Sequence, residues 1–267
     1  MKVVTYRVLT DLIGTIPYRM ALAGGWIDQP LVSRLNPTPP GSMVVVGLEP
    51  TCRFMERSGM ATGTRNVALE LWNSRLPDRD PAALMRDLYR EENSGVSEPS
   101  GSQDMIGLIY PGVNRLDFDV KYEGGIFPRH IESNNDPRVA RWLEEVIYML
   151  PVAARPNGYN PLGIKNLDPA WIRRLGATGK ECFDAILSCD VHALGASMNA
   201  CMECWEAIFP QTVRHPAITT DLKGILAYYQ SQYCGAMYSG CGGGYLYIVS
   251  NRPVPGAFQI NVRIAKS

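Results

Sequence analysis

At 267 residues the chain can form one large domain or two closely packed lobes, with enough material to bury a substantial core. Hydrophobic residues make up 46% and charged residues 19%, which excludes the disordered classes, and 26 Lys+Arg against 26 Asp+Glu exclude any global attraction to nucleic acid or to an anionic membrane. No apolar stretch reaches the roughly 20 residues of a membrane span, Arg7 and Asp11 interrupt the N-terminal apolar segment, and seven cysteines lack regular spacing, so a cytoplasmic protein with reduced thiols is expected.

Strand patterns fall at residues 3–9 and 16–23, and a third at 42–51 contains Val44, Val45 and Val46, whose Cβ branching suits a pleated backbone. NPTPPG, 36–41, is a connector, because its prolines and glycine interrupt either regular structure. SGMATGTRNVALELWNSRL then reads as a small-residue loop feeding a helix through Val67, Leu69, Leu71 and Trp72. A second helix fits 81–93, a loop 94–103, and 104–122 starts with a helical turn before passing through Pro-Gly into a strand. Residues 136–149 read as helix, and 151–168 are the candidate seam between two lobes. Three helices follow at 168–189, 190–209 and 219–233, and GGGYLYIVSN and GAFQINVRIAK close the chain as a hairpin. The CxxC of Cys201 and Cys204 lies on the apolar helical pattern of 190–209 with no second ligand pair nearby, so both are expected in the core.

Chemistry concentrates in three glycine-bearing stretches at junctions between elements: RMALAGGWID, SGMATGTRN and SGCGGGYLY. In the middle one, small residues let backbone N–H groups point outward where a helix starts, a natural cradle for anions. It lacks the GK[ST] ending of a P-loop, and no GxGxxG with a following acidic residue supports a dinucleotide site.

In this order the three stretches resemble the GHMP kinases, the superfamily of galactokinase, homoserine kinase, mevalonate kinase and phosphomevalonate kinase. The resemblance implies an α+β, two-lobed fold, with a ribosomal-protein-S5-like N-terminal lobe over 1–150 and a ferredoxin-like C-terminal lobe over 151–267. Arg19 and Asp28 resemble the opening motif, and the AGGW wording is most similar to the fucokinase and heptose-phosphate kinase branch. Gly24, Gly25, Trp26 and Asp28 are then the expected substrate contacts, Trp26 either stacking on a pyranose or belonging to the core. Ser58, Gly59, Ala61, Thr62, Gly63 and Thr64 stand in place of the phosphate loop, with Gly63 replacing a serine and Arg65 a small residue. The C-terminal stretch GAMYSGCGGGYLY resembles the family's last signature, adding Gly240 and Gly242 to the nucleotide contacts, and Met237 stands where lysine is frequent. EENSGVSEPSGSQDMIG resembles the segment joining a magnesium-binding glutamate to an active-site aspartate, which implies Glu92 for the metal, with Thr62 or Thr64, and Asp104 with Arg19 for catalysis; Asp104 also reads as an N-cap and Glu92 as a solvated helix end.

The implied activity is ATP- and Mg²⁺-dependent phosphorylation of a sugar or sugar phosphate, with nucleotide and small molecule as partners, no nucleic acid or membrane, and a homodimer allowed. Only residues 29–58 lie between Asp28 and Gly59, where relatives carry a longer insert. That shortening, with Gly63, Arg65 and Met237, keeps open a second reading, a sensor that binds a sugar or nucleotide without transfer. Phosphorylation of a non-sugar alcohol is a third.

Overall fold

The computed structural model describes residues 14–96 and 99–265; the strand expected at 3–9 lies outside them. Two four-stranded antiparallel sheets organise the chain. The first contains β1 (Tyr18–Ala21), β2 (Gly41–Leu48), β3 (Val113–Phe118) and β4 (His130–Asn134), in that order. In the second, β5 (Ile147–Ala153), β6 (Gly235–Gly240), β7 (Gly243–Val249) and β8 (Phe258–Gln259) are arranged β6-β7-β5-β8. Every residue of β2 is buried, as a continuous apolar run with three consecutive valines requires.

The helices are α1 (Pro30–Ser33), α2 (Thr62–Leu71), α3 (Pro81–Glu92), α4 (Gln103–Ile109), α5 (Pro137–Val146), α6 (Pro169–Leu187), α7 (Val191–Ile208) and α8 (Leu222–Gln232). An aspartate opens five of them. Asp80, Asp136, Asp168, Asp190 and Asp221 each accept a backbone N–H of the first turn, and the first three are followed by proline, which has no N–H to lose at that position. Among described helices of ten or more residues, only α2 begins without a side-chain cap. Among the described residues no side chain caps its first turn, where the Arg65 N–H donates to the Ala61 carbonyl at 2.9 Å and the earlier N–H groups have no intrahelical acceptor of their own.

Two close contacts tie later parts of the chain to β2. Gly179 of α6 lies so near Ser42 that a Cβ there would fall 2.0 Å from the Ser42 carbonyl oxygen, and a Cβ on Gly47 would fall 2.9 Å from the Tyr110 carbonyl just beyond α4. The buried side chains form one continuous cluster that includes residues of both sheets, and Cys201 and Cys204 are fully buried in it, as expected. Among the described residues no helix is long and apolar enough to cross a membrane.

Three sequence expectations are corrected. Residues 147–149, read as the end of a helix, begin β5, which is inserted between β7 and β8; a short apolar run flanked by strands on both edges has the same hydrophobicity as a helix end. The closing hairpin is β6–β7 rather than 242–251 with 256–266. With β6 on one edge of β7 and β5 on the other, no edge of β7 is left for the last segment, whose described residues contribute β8 and a bridge from Val262 to Leu48. Strand β4, HIESN, was not anticipated, because a partly exposed polar edge strand carries no apolar alternation.

Gly59 has φ +78°, and a Cβ there would sit 2.5 Å from the carbonyl oxygen of Ser239. Gly59→Ala is therefore expected to lose about 2 kcal/mol or more, combining the left-handed backbone cost with the clash. Thermal unfolding followed by circular dichroism measures it; an unchanged melting temperature would contradict this packing.

Candidate active site

The three glycine bends meet at one cleft of about 430 Å³. Most of their glycines are required by protein–protein approach. A Cβ on Gly24, φ +91°, would fall 2.2 Å from the Ser42 carbonyl; one on Gly25 would fall 2.8 Å from the Trp205 ring; one on Gly244 would fall 2.1 Å from the Ser58 carbonyl. Gly63 differs, because nothing lies within 4 Å of the position its Cβ would take. It faces the open cleft in the first turn of α2, beside Ala61 at φ +55°.

Of the proposed contacts, Gly25, Trp26, Asp28, Gly59, Ala61, Thr62, Gly63, Thr64 and Gly240 line this cleft, together with Arg19, Glu92 and Asp104. Gly24, Ser58 and Gly242 do not line it. Ser58 Oγ donates to the Met55 carbonyl at 2.5 Å, the Gly24 N–H donates to Cys201 Sγ at 3.3 Å, and the Gly242 N–H donates to the Thr212 carbonyl at 2.8 Å, so these three hold the bends in place. Trp26 packs in the core and also borders the cleft: its ring lies 4.5 Å from Phe209 and its Nε1 donates to Cys241 Sγ at 3.1 Å.

The carboxylates form a connected set. Arg19 pairs through Nη2 with Asp104 Oδ1 and donates from Nη1 to the Gly59 carbonyl at 3.2 Å. Asp104 lies in the first turn of α4, and Ser102 rather than Asp104 occupies the N-cap position, which leaves the carboxylate turned to the cleft with 27% of its side chain exposed. Thr64 Oγ1 donates to Glu92 Oε1 at 2.7 Å and lies 3.4 Å from Asp104 Oδ2. This places Thr64 between the two carboxylates, whereas Thr62 also borders a smaller cleft with Arg53 and Asn66. Glu92 is no solvated helix end. Among the described residues its buried Oε2 has no partner, and burial, then the Asp104 charge, pushes its carboxyl above the ordinary range.

Asp28 is fully buried and accepts from Gln103 Nε2 at 3.3 Å, while its Oδ2 has no partner among the described residues. Burial, reinforced by Asp104, raises its carboxyl from 3.8 to about 7. Arg65, where a small residue was expected, turns elsewhere: its guanidinium lies 4.1 Å from the Tyr18 ring centroid and its Nε donates to the Ile16 carbonyl at 2.9 Å. Met237 is buried in β6.

A divalent cation fits this donor set. Among the described residues no group of three or more His, Cys, Asp or Glu is arranged to enclose a metal, but Mg²⁺ characteristically takes one or two carboxylates and completes its shell with phosphate oxygens and water. The orphaned Glu92 Oε2, adjacent to the Thr64 hydroxyl and Asp104, offers that partial shell.

Arg57, Arg155, Glu56 and Gln103 also line the cleft and were not singled out by sequence. None belongs to a glycine bend; Glu56, Arg57 and Arg155 are charged loop residues and Gln103 is a neutral residue at the start of α4, and such side chains look like any solvated ones until the chain folds.

No family model matches the chain, and no curated protein matches it in sequence. The fold is nevertheless shared with solved kinases. Lactococcus lactis galactokinase complexed with galactose aligns at TM-score 0.62 and 11% identity, over 94% of this chain and 93% of that one. L. major mevalonate kinase in complex with R-mevalonate aligns at 0.55 and 11%, over 95% and 97%. A D-glycero-D-manno-heptose 1-phosphate kinase from Bacteriodes thetaiotaomicron aligns at 0.54 and 11%, over 92% and 95%. At this identity the likeness is one of fold: the chain has the two-lobed α+β architecture of the GHMP kinases.

The raised carboxyl of Asp28 makes stability depend on pH. Between about pH 4 and 7 the folded state keeps a proton that the unfolded chain releases, so stability falls as pH rises through that window and levels off above it. Asp28→Asn should remove this decline. Melting temperatures from pH 4.5 to 8 should show the variant gaining on the parent by on the order of a few kcal/mol as pH rises; parallel curves would contradict the burial of an unpaired carboxyl.

Proposed function

We propose that this protein is an ATP- and Mg²⁺-dependent kinase that transfers a phosphoryl group to a hydroxyl of a sugar or sugar phosphate, with the phosphate loop and catalytic residues in a lobe spanning 1–150 and a second lobe, 151–267, closing the cleft. The observation that carries the reading is the Arg19–Asp104–Thr64–Glu92 chain of contacts at the uncapped start of α2. Phosphoryl transfer asks a protein chiefly for alignment and counter-charge.

The N–H groups at the start of α2 receive phosphate oxygens, aided by the helix dipole. Glu92 and the Thr64 hydroxyl would hold the cation, which would supply charge neutralisation to the phosphate groups. Asp104 accepts the proton of the acceptor hydroxyl as its oxygen bonds to the γ-phosphorus; the bond from that phosphorus to the bridging oxygen breaks, and its electron pair leaves with ADP. Arg19 holds Asp104 in orientation and offsets charge as it develops. Asp28 and Gln103 lie beside this centre with two buried oxygens, Asp28 Oδ2 and Gln103 Oε1, that have no donor among the described residues. A polyol brings such donors, which favours a sugar over an isoprenoid alcohol. The AGGW wording supports the heptose-phosphate or fucokinase branch, and the solved kinase for heptose 1-phosphate shares the fold.

One observation favours the sensor reading: residues 29–58 contain only α1 and β2, with no added element to enclose a purine. Turnover separates the two. With Mg²⁺ and ATP, ADP release should require an acceptor from a panel of hexoses, deoxy-sugars, heptoses and their phosphates. Asp104→Asn should lower kcat about 10²- to 10⁴-fold while nucleotide affinity stays within a few-fold. No ADP release across the panel, together with sugar-dependent thermal stabilisation, would establish the sensor instead.

A further inference from the structure

Three arginines reach the cleft, and their partners differ. Arg19 is engaged by Asp104 and the Gly59 carbonyl. Arg57 gives both terminal nitrogens to the turn after β5, donating to the Pro156 carbonyl at 2.7 Å and to Asn157 Oδ1. Arg155 is different: among the described residues its side chain donates to no protein atom and pairs with no carboxylate, and its Nε is buried. A desolvated guanidinium nitrogen without an acceptor is costly and is explained when a ligand completes it.

The residue is held in this position by its surroundings. The Arg155 N–H donates to the Arg57 carbonyl at 3.1 Å, and Arg57 grips the two residues that follow. Further on, Tyr159 Oη donates to the Gln211 carbonyl at 3.1 Å, and its ring lies against Gly242. The guanidinium itself rests on Gly240, where a Cβ would fall 2.1 Å from Nη2 and 3.3 Å from Gly59 Cα. It therefore lies where the second and third glycine bends touch, beside the uncapped start of α2. Met237 of β6 is uncharged and buried, and Arg155 brings a charge to this end of the cleft from another loop.

We infer that Arg155 is an anion-binding residue of the cleft that takes oxygens of a phosphoryl group, from either the terminal phosphate of the nucleotide or a phosphate on the acceptor. The inference rests on the kinase reading for the identity of the anion. Its geometry suits a planar, two-pronged donor, which lysine reproduces only as a point charge.

Calorimetric titration of the full chain tests it, using Arg155→Met and Arg155→Lys against the parent. The probes are Mg²⁺ with a non-hydrolysable ATP analogue, ADP, inorganic tripolyphosphate, and hexose 1-phosphates beside the unphosphorylated hexoses. The parent should bind at least one phosphate-bearing probe, R155M should weaken it about 10- to 100-fold, and R155K should recover part of the loss. Weakening of the ATP analogue and tripolyphosphate alone places Arg155 at the nucleotide end; weakening of the hexose 1-phosphates alone places it at the acceptor. R155M should melt with the parent, since no protein hydrogen bond is lost. Equal affinities in parent and R155M, a parent that binds no phosphate probe, or an R155M chain that fails to fold each overturns the inference. Failure of the kinase reading looks different: tripolyphosphate binding still depends on residue 155, yet no acceptor elicits ADP release.

Discussion

The cleft exists because backbone meets backbone where a side chain would intervene. Gly59 lies against Ser239 and Gly240, and Gly244 lies against Ser58, each at a distance that excludes a Cβ. Ser239 reinforces the junction by donating its hydroxyl to the Ser58 carbonyl and accepting the Tyr245 N–H at 2.9 Å. This contact joins the loop before α2 to the β6–β7 turn of the other sheet. With that distance set, the start of α2, Arg19 and the end of β6 are brought to one space.

The electrostatics follow from that convergence. Asp28, Glu92 and Asp104 are drawn into a partly desolvated site, and burial, reinforced by the Asp104 charge, makes Asp28 and Glu92 hold their protons more tightly than usual. Arg19 is shared between Asp104 and a carbonyl, which orients the carboxylate and limits the neutralisation it offers to Asp28 and Glu92. The remaining demand for positive charge and for hydrogen-bond donors is what a cation, a nucleotide and a hydroxylated acceptor would bring. A site with this imbalance suits ligand binding better than it suits stability.

Function and packing overlap in the glycine bends more than their composition suggested. Gly24, Gly244 and Gly59 make room for neighbouring backbone, whereas Gly63, which stands in place of a serine, opens onto the cleft. Arg65, another apparent departure, lies along Tyr18 through a cation–π contact and is absent from the cleft wall. An altered motif thus leaves the arrangement intact where the altered side chains have room to turn away.

The sequence by itself determined what short-range chemistry controls. Helix starts near 81, 136, 168 and 190 and the valine strand at 42–51 could be read locally, because a carboxylate next to orphan N–H groups needs no distant partner and consecutive β-branched residues favour extended backbone. It also singled out Arg19, Thr64, Glu92 and Asp104, whose likeness to motif residues could be read from order and spacing. Only the tertiary structure decided that β5 is a strand, since its neighbours β7 and β8 come from the far end of the chain. It likewise decided the choice of Thr64 beside Glu92 and the unpartnered state of Arg155, because hydrogen-bond satisfaction is a property of what folds around a group, and no local pattern encodes it.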